Sequence, residues 1–223
     1  MDEKYAVRGV FEKKGRAVFI SHLDLFRTMQ RAMKRSGIPV WYSQGFNPRI
    51  YLNFPLALSL GVEGCAEIMD FEITERQPFD EMLGALNNVL PDGLRFLSMA
   101  EPIGTNKDIA LAEYEFDFSA DNLSGEDIAA GFEKMMLLEK IEVEKHSKKK
   151  GTVLVDIKPH IKVILSECLG GNFRATVVLP AGMELNINSN VFNDAFLKYS
   201  GINNLKISTK RTKIMKNNGE IFA

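Results

Sequence analysis

Metal ligands and covalent cross-links have little to work with in this chain. Its 223 residues include two cysteines, three histidines and one tryptophan. Cys65 and Cys168 lie far apart and belong to no CxxC or Cys/His cluster, which argues against a disulfide framework and against a zinc site. His146 and His160 have no Cys, His or acid at metal-ligand spacing, so neither a metal nor a cofactor is expected. There is no P-loop, no GxGxxG and no GxSxG. No apolar run approaches the roughly 20 residues of a membrane span. The opening MDEKYAVRG lacks the apolar core of a signal peptide, so a cytoplasmic protein with no membrane partner is expected.

What the chain does have is a proper core composition and a segregated charge. It is 45% hydrophobic and 26% charged, with a net charge of −1. Residues 1–50 carry 10 Lys/Arg against 4 Asp/Glu, residues 51–139 carry 4 against 18, and residues 140–223 carry 14 against 7. Such segregation either builds one basic face suited to a polyanion, or interleaves in space and cancels.

Residues 4–12 and 16–20 read as extended around a turn at Lys13-Lys14-Gly15. Ser21 is placed to cap a helix running to Ser36, with Asp24 three residues on and Gly37 as its stop. Leu25, Phe26, Met29, Ala32 and Met33 form its apolar stripe, while Arg27, Arg31, Lys34 and Arg35 share a broad opposite face. Residues 38–42 read as a short strand, 50–54 as extended and 65–74 as a strand. Pro78 begins a helix through Leu90, and Leu94–Met99 is a strand. Residues 100–110 have linker composition.

The second half repeats that order. It has a strand at 111–119, a helix at 126–138 capped by Ser124, and extended segments at 140–146 and 152–157 around the basic turn Lys148-Lys149-Lys150-Gly151. Residues 158–167 read as either a strand or a short helix. A strand at 172–179, a helix at 190–199 and a strand at 205–215 complete it. The expected fold is α+β, a tandem of ferredoxin-like (βαββαβ) domains with antiparallel sheets, at residues 1–101 and 110–223.

Residues 19–54 hold the functional signal. The cations of the first helix suit a track of phosphates. In the loop SQGFNPR, residues 43–49, Gly45 permits positive φ and Asn47-Pro48 initiates a turn. Phe46 either plugs the core or offers a stacking face, and Arg49 adds a fork-shaped donor. Trp41 and Phe54 read as core. Aromatics beside cations are the equipment of single-stranded RNA binding. The candidate nucleic-acid-binding residues are therefore Arg27, Arg31, Lys34, Arg35, Gln44, Phe46, Asn47 and Arg49. His22, one residue after the cap, is the candidate catalytic base, against a purely structural role at a helix end.

The lines GRAVFISHLDLFRTMQRAMKRSGIPVWYSQGFNPR and FPLALSLGVEGCAEIMDFEI, with KKKGTVLVDIKPHI and the KRT at 210–212, resemble the radical-SAM-linked protein family. Its members are small bacterial proteins of unestablished function, standalone or fused C-terminally to B12-binding-type radical SAM proteins. GMELNINSNVFNDAF is more polar than the family's pattern. The chain lacks the CxxxCxxC set a radical SAM cluster needs. The resemblance thus implies an accessory module that is not itself a radical SAM enzyme, with a radical SAM protein as partner. Members are typically encoded near ribosomal protein and ribonuclease genes, which implies RNA as the polyanion. The GFNP-type loop and paired domains are also similar to the CRISPR repeat-processing RNA endonucleases, although fold does not fix function.

The resulting expectation is a non-catalytic module binding RNA or an RNA-containing assembly. The alternatives are an RNA-processing nuclease using His22, or a protein-interaction module docking an acidic partner. Homo-oligomerisation through an open sheet edge is compatible with each.

Overall fold

The computed structural model describes residues 3–147, 151–202 and 204–222. The basic turn expected at Lys148-Lys149-Lys150 lies outside the described residues. The chain divides into two compact units, Met1–Ala110 with Arg211–Ala223, and Leu111–Lys210. The expected second domain ran to residue 223, but the segment from Arg211 groups with the first unit.

In chain order the first part contains β1 (Tyr5–Lys13), a 3-10 helix (Gly15–Phe19), α1 (His22–Ser36), β2 (Leu52–Asn53), β3 (Glu63–Ile73), α2 (Phe79–Asn87) and β4 (Leu94–Ala100). The remainder contains β5 (Ile109–Ser119), α3 (Gly125–Met136), β6 (Glu142–Ser147), β7 (Gly151–Asp156), β8 (Lys162–Leu169), β9 (Asn172–Pro180), α4 (Ser189–Ser200) and β10 (Lys206–Lys216). Among the described residues, four α-helices and mostly antiparallel strands make the protein α+β.

In the first unit the strand order is β4-β1-β3-β10, with β2 also pairing β3. β1 pairs antiparallel with β3 and with β4. α1 buries Leu25, Met29, Ala32 and Met33, the face its sequence spacing marks as apolar. Ser21 Oγ accepts from the Asp24 amide at 3.1 Å and donates to the Asp24 carboxylate at 2.7 Å. Gly37 closes the helix at φ 77°, a left-handed value that costs a Cβ-bearing residue about 1 kcal/mol. Asn87 ties the end of α2 to β4: its Nδ2 donates to the Phe96 carbonyl at 2.9 Å and its Oδ1 accepts from the Phe96 amide at 2.8 Å.

Two expectations change here. Residues 15–19 form a 3-10 helix instead of a strand. The Lys13 ammonium, 1% exposed, donates to the Val18 and Ile20 carbonyls at 3.3 and 3.2 Å and so ties that turn to the end of β1. Residues 38–42 make only isolated bridges, Val40 to Ile73 and Tyr42 to Ile50. Pro39 has no amide to give a ladder, and the Val40 amide turns back to the Ile38 carbonyl at 2.8 Å.

In the second unit the order is β10-β5-β9-β8, and β6-β7 form a separate hairpin. Alternation along β5 sends Tyr114, Phe116 and Phe118 into an aromatic core, where Phe116 meets Phe192 and Phe118 meets Phe196, each at 4.6 Å between ring centroids. The opposite face carries acids answered by cations, with Arg174 at 2.7 Å from Asp117 and Lys210 at 3.2 Å from Glu115. Tyr199 on α4 anchors the hairpin: its hydroxyl donates to the Glu142 carbonyl at 2.9 Å and accepts from the Glu142 amide at 3.1 Å. The ambiguous segment 158–167 divides into a 3-10 turn at Lys158–His160 and the start of β8.

Candidate functional site

α1 and the 43–49 loop face a common cleft in the first unit. From α1, Leu23, Phe26, Arg27, Gln30 and Lys34 line it, and from the loop and its exit come Pro48, Arg49 and Ile50. Its volume is 370 Å³. Three of these eight side chains are cationic and none is acidic. Asp24, outside the lining, approaches Arg27 at 3.6 Å. Both partners are more than half exposed there, so the pair leaves most of the cation's field open to solvent.

The helix phase explains which cations reach the cleft. At about 100° per residue, Leu23, Gln30, Arg27 and Lys34 fall within one narrow sector. Arg31 lies at its border, exposed but outside the lining. Arg35 is turned away, donating to the Val89 carbonyl at 2.8 Å beyond the end of α2.

The loop is shaped by its own backbone. The Ser43 amide donates to the Arg49 carbonyl at 2.8 Å, and the Arg49 amide donates back to Ser43 Oγ at 3.1 Å. The Tyr42–Ile50 bridge seals the base of the loop. Gly45 takes φ 128°, a value that side chains with a Cβ rarely adopt. Gln44, Phe46 and Asn47 are all exposed at the tip. Phe46, at 105% relative exposure, does not plug the core. Trp41 is half-buried beneath the Lys4 ammonium, 4.5 Å from its ring centroid.

His22 is exposed, with its ring set edge-on to Phe54 at 5.4 Å, and it does not line the cleft. Among the described residues no group of three or more His, Cys, Asp or Glu could hold a metal ion. No helix among them is long and apolar enough to cross a membrane.

Three buried charges, Lys13, Glu67 and Arg211, lie elsewhere in the first unit, and the sequence pattern did not mark them as buried. Arg211 is 2% exposed and Glu67 3%. Arg211 Nε donates to Glu67 at 2.9 Å, and its Nη2 contacts the other carboxylate oxygen. The same guanidinium donates to the Ala57 and Leu56 carbonyls at 3.2 and 2.9 Å, fixing the loop that precedes β3. A Cβ on Gly64 would fall 2.4 Å from the Glu67 side chain, so glycine leaves room for the carboxylate. Burial pushes the Lys13 ammonium below its ordinary pKa; Glu67 opposes the shift and Arg211 adds to it. Lys13 thereby links this cluster to the Val18 and Ile20 carbonyls, shortly before Ser21. The missed signal was a charged residue at an inward position of a strand: Lys13 sits two after the core residue Phe11, on the same face of β1.

No curated protein matches the chain. A crystal structure of an unknown protein from Galdieria sulphuraria is similar at 12% identity, covering 94% of this chain and 99% of that one, with a TM-score of 0.24. The match that identifies the chain is a bacterial one over residues 6–189: the protein belongs to the family described as "Uncharacterized protein conserved in bacteria (DUF2344)".

Proposed function

We propose that this protein binds RNA, or an assembly containing RNA, through the cleft between α1 and the 43–49 loop, and is not catalytic by itself. The observation that carries the reading is the meeting of Arg27, Lys34 and Arg49 around one cleft without an acid in its lining. Cations so grouped displace counterions from a phosphate chain, and the exposed Phe46 adds an aromatic face. Gln44 and Asn47 supply amide groups at the same loop tip. Titration of labelled single-stranded RNA at about 50 and 200 mM salt tests this. Three phosphate contacts give a slope of about −2 in log affinity against log salt, a loss of about tenfold or more over that range. Affinity that is absent, or indifferent to salt, rejects the proposal.

We read each unit as ferredoxin-like. In the first unit the succession β1-α1-β2-β3-α2-β4 combines with the spatial order β4-β1-β3-β2. In the second, β5-α3-β8-β9-α4-β10 combines with β10-β5-β9-β8. Both support the split βαβ arrangement, with the β6-β7 hairpin as an insertion. The SHLDL and SQGFNPR motifs support a partnership with a radical SAM protein, for which this chain would present or bind the RNA.

A second reading has its own observation. Phe19, Leu23 and Leu60 are 74%, 57% and 59% exposed, and the Gly61 amide donates to the Val18 carbonyl at 2.9 Å, holding the Leu60 loop next to the Phe19 turn. Apolar surface of this kind suits a protein partner. A pull-down that survives nuclease treatment favours that reading over RNA binding. The nuclease alternative depends on His22, whose place against Phe54 outside the cleft gives it no support; RNA cleavage lost in His22→Ala would revive it.

A further inference from the structure

We propose that the cleft accepts one unpaired nucleotide, and that Gln30 reads the edge of its base. The inference deepens the RNA-binding reading and rests on it. The cleft's 370 Å³ falls at the low end of the range for small-ligand sites, about 300–1,000 Å³, and so suits one nucleotide better than a length of duplex. Its walls are of two kinds. Phe26 from the helix and Pro48 from the loop present apolar surface from opposing elements, as a planar base requires. Arg27, Lys34 and Arg49 provide charge for the phosphates on either side.

Gln30 is the neutral polar side chain in this lining. Its amide carries two donors and an acceptor, the complement of a base edge. Its Nε2 approaches the Ile50 carbonyl at 3.5 Å, at the outer limit of a hydrogen bond, so the amide is held near the floor without being consumed there. A base paired in a duplex presents no free Watson–Crick edge, whereas an unstacked base presents the full edge. Phe46, two residues before Pro48 on the same loop and fully exposed, offers a stacking face to the neighbouring base.

The test uses the full chain and fluorescein-labelled ten-nucleotide strands of oligouridylate, oligocytidylate and oligoadenylate, a blunt RNA duplex of equal length, and poly-glutamate. Anisotropy should show the best single strand binding about tenfold or more tighter than the duplex, and an affinity ratio of about fivefold or more between best and worst base, within the range of one edge-reading pair. Gln30→Ala should bring that ratio to near one and leave the salt slope unchanged. Arg49→Ala should lower the slope by about 0.7 and keep the base ratio. Gln30→Glu, which keeps the shape of the side chain and adds a negative charge, should weaken every strand. Duplex binding as tight as single-strand binding, a wild-type chain indifferent to base, or a ratio that survives Gln30→Ala overturns the nucleotide pocket while leaving salt-dependent RNA binding intact. Poly-glutamate binding as tightly as RNA, or no salt-dependent RNA binding at all, overturns the RNA reading itself.

Discussion

Arg211 shows how much one side chain can organise. It neutralises Glu67 and also holds two carbonyls of the loop before β3. Removing one member of a buried pair leaves an uncompensated charge and costs about 3–5 kcal/mol, whereas replacing both with apolar groups of similar size is far milder. Arg211→Met should therefore lower the urea midpoint severely, and adding Glu67→Leu should restore most of the loss. A single variant with a midpoint close to wild type would contradict this role. Lys13 leads to a pH prediction. Unfolded, it keeps its proton up to the ordinary value of 10.5; folded and desolvated, it releases the proton at lower pH. Between those two values the unfolded state binds more protons, so the lysine's contribution to stability rises with pH there. Lys13→Met should flatten that rise in a series of denaturation curves taken up to pH 10.5.

At the scale of elements, α1 serves both the core and the surface, and its two jobs separate by helix phase. Its start is set by Ser21, and Ser21→Ala should cost about 1 kcal/mol in chemical denaturation. The cleft variants should behave differently. Replacing Arg27, Lys34 and Arg49 together with alanine should weaken RNA binding and reduce its salt slope by about 2, with little effect on the denaturation midpoint, because these side chains are exposed. Arg35 is a poor choice for that purpose: its bond to the Val89 carbonyl ties α1 to the end of α2, so its loss mixes stability with binding. The helix period alone groups Arg35 with the other cations. Only the position of α2 distinguishes a cation that faces the cleft from one already occupied.

At the scale of the molecule, the last strand serves both units: Lys206–Lys210 belong to the second, and the chain from Arg211 belongs to the first. The first unit is thus built from both ends of the sequence. Arg8 reflects this, pairing with Asp70 at 2.7 Å and stacking on Phe222 at 4.2 Å. Deleting residues 211–223 removes the buried Arg211, Ile214, Met215 and Phe222 together. Trp41, the sole tryptophan, sits in the first unit and reports on it directly. The truncated chain should show red-shifted tryptophan emission and a lower unfolding midpoint for that signal. Unchanged emission and midpoint would mean that the first unit does not need its last strand.

By itself the sequence determined the local structure wherever a period or a cap was strong. The alternation YEFDF of β5, the Ser21-to-Gly37 helix and the Ser124 cap of α3 all follow from backbone geometry and nearest-neighbour chemistry. It also placed α1 and the SQGFNPR loop near one another in the chain, and it marked the eight candidate residues. Tertiary structure decided what depends on distance across the chain. Lys13, Glu67 and Arg211 lie 54 and 144 residues apart in succession, and no local pattern reveals that three charges so separated are buried and act on one another. The same long-range packing sent Arg35 to Val89 and left Arg27, Lys34 and Arg49 on a common cleft. Burial and charge pairing are set by what folds against a residue, and that partner is named only in three dimensions.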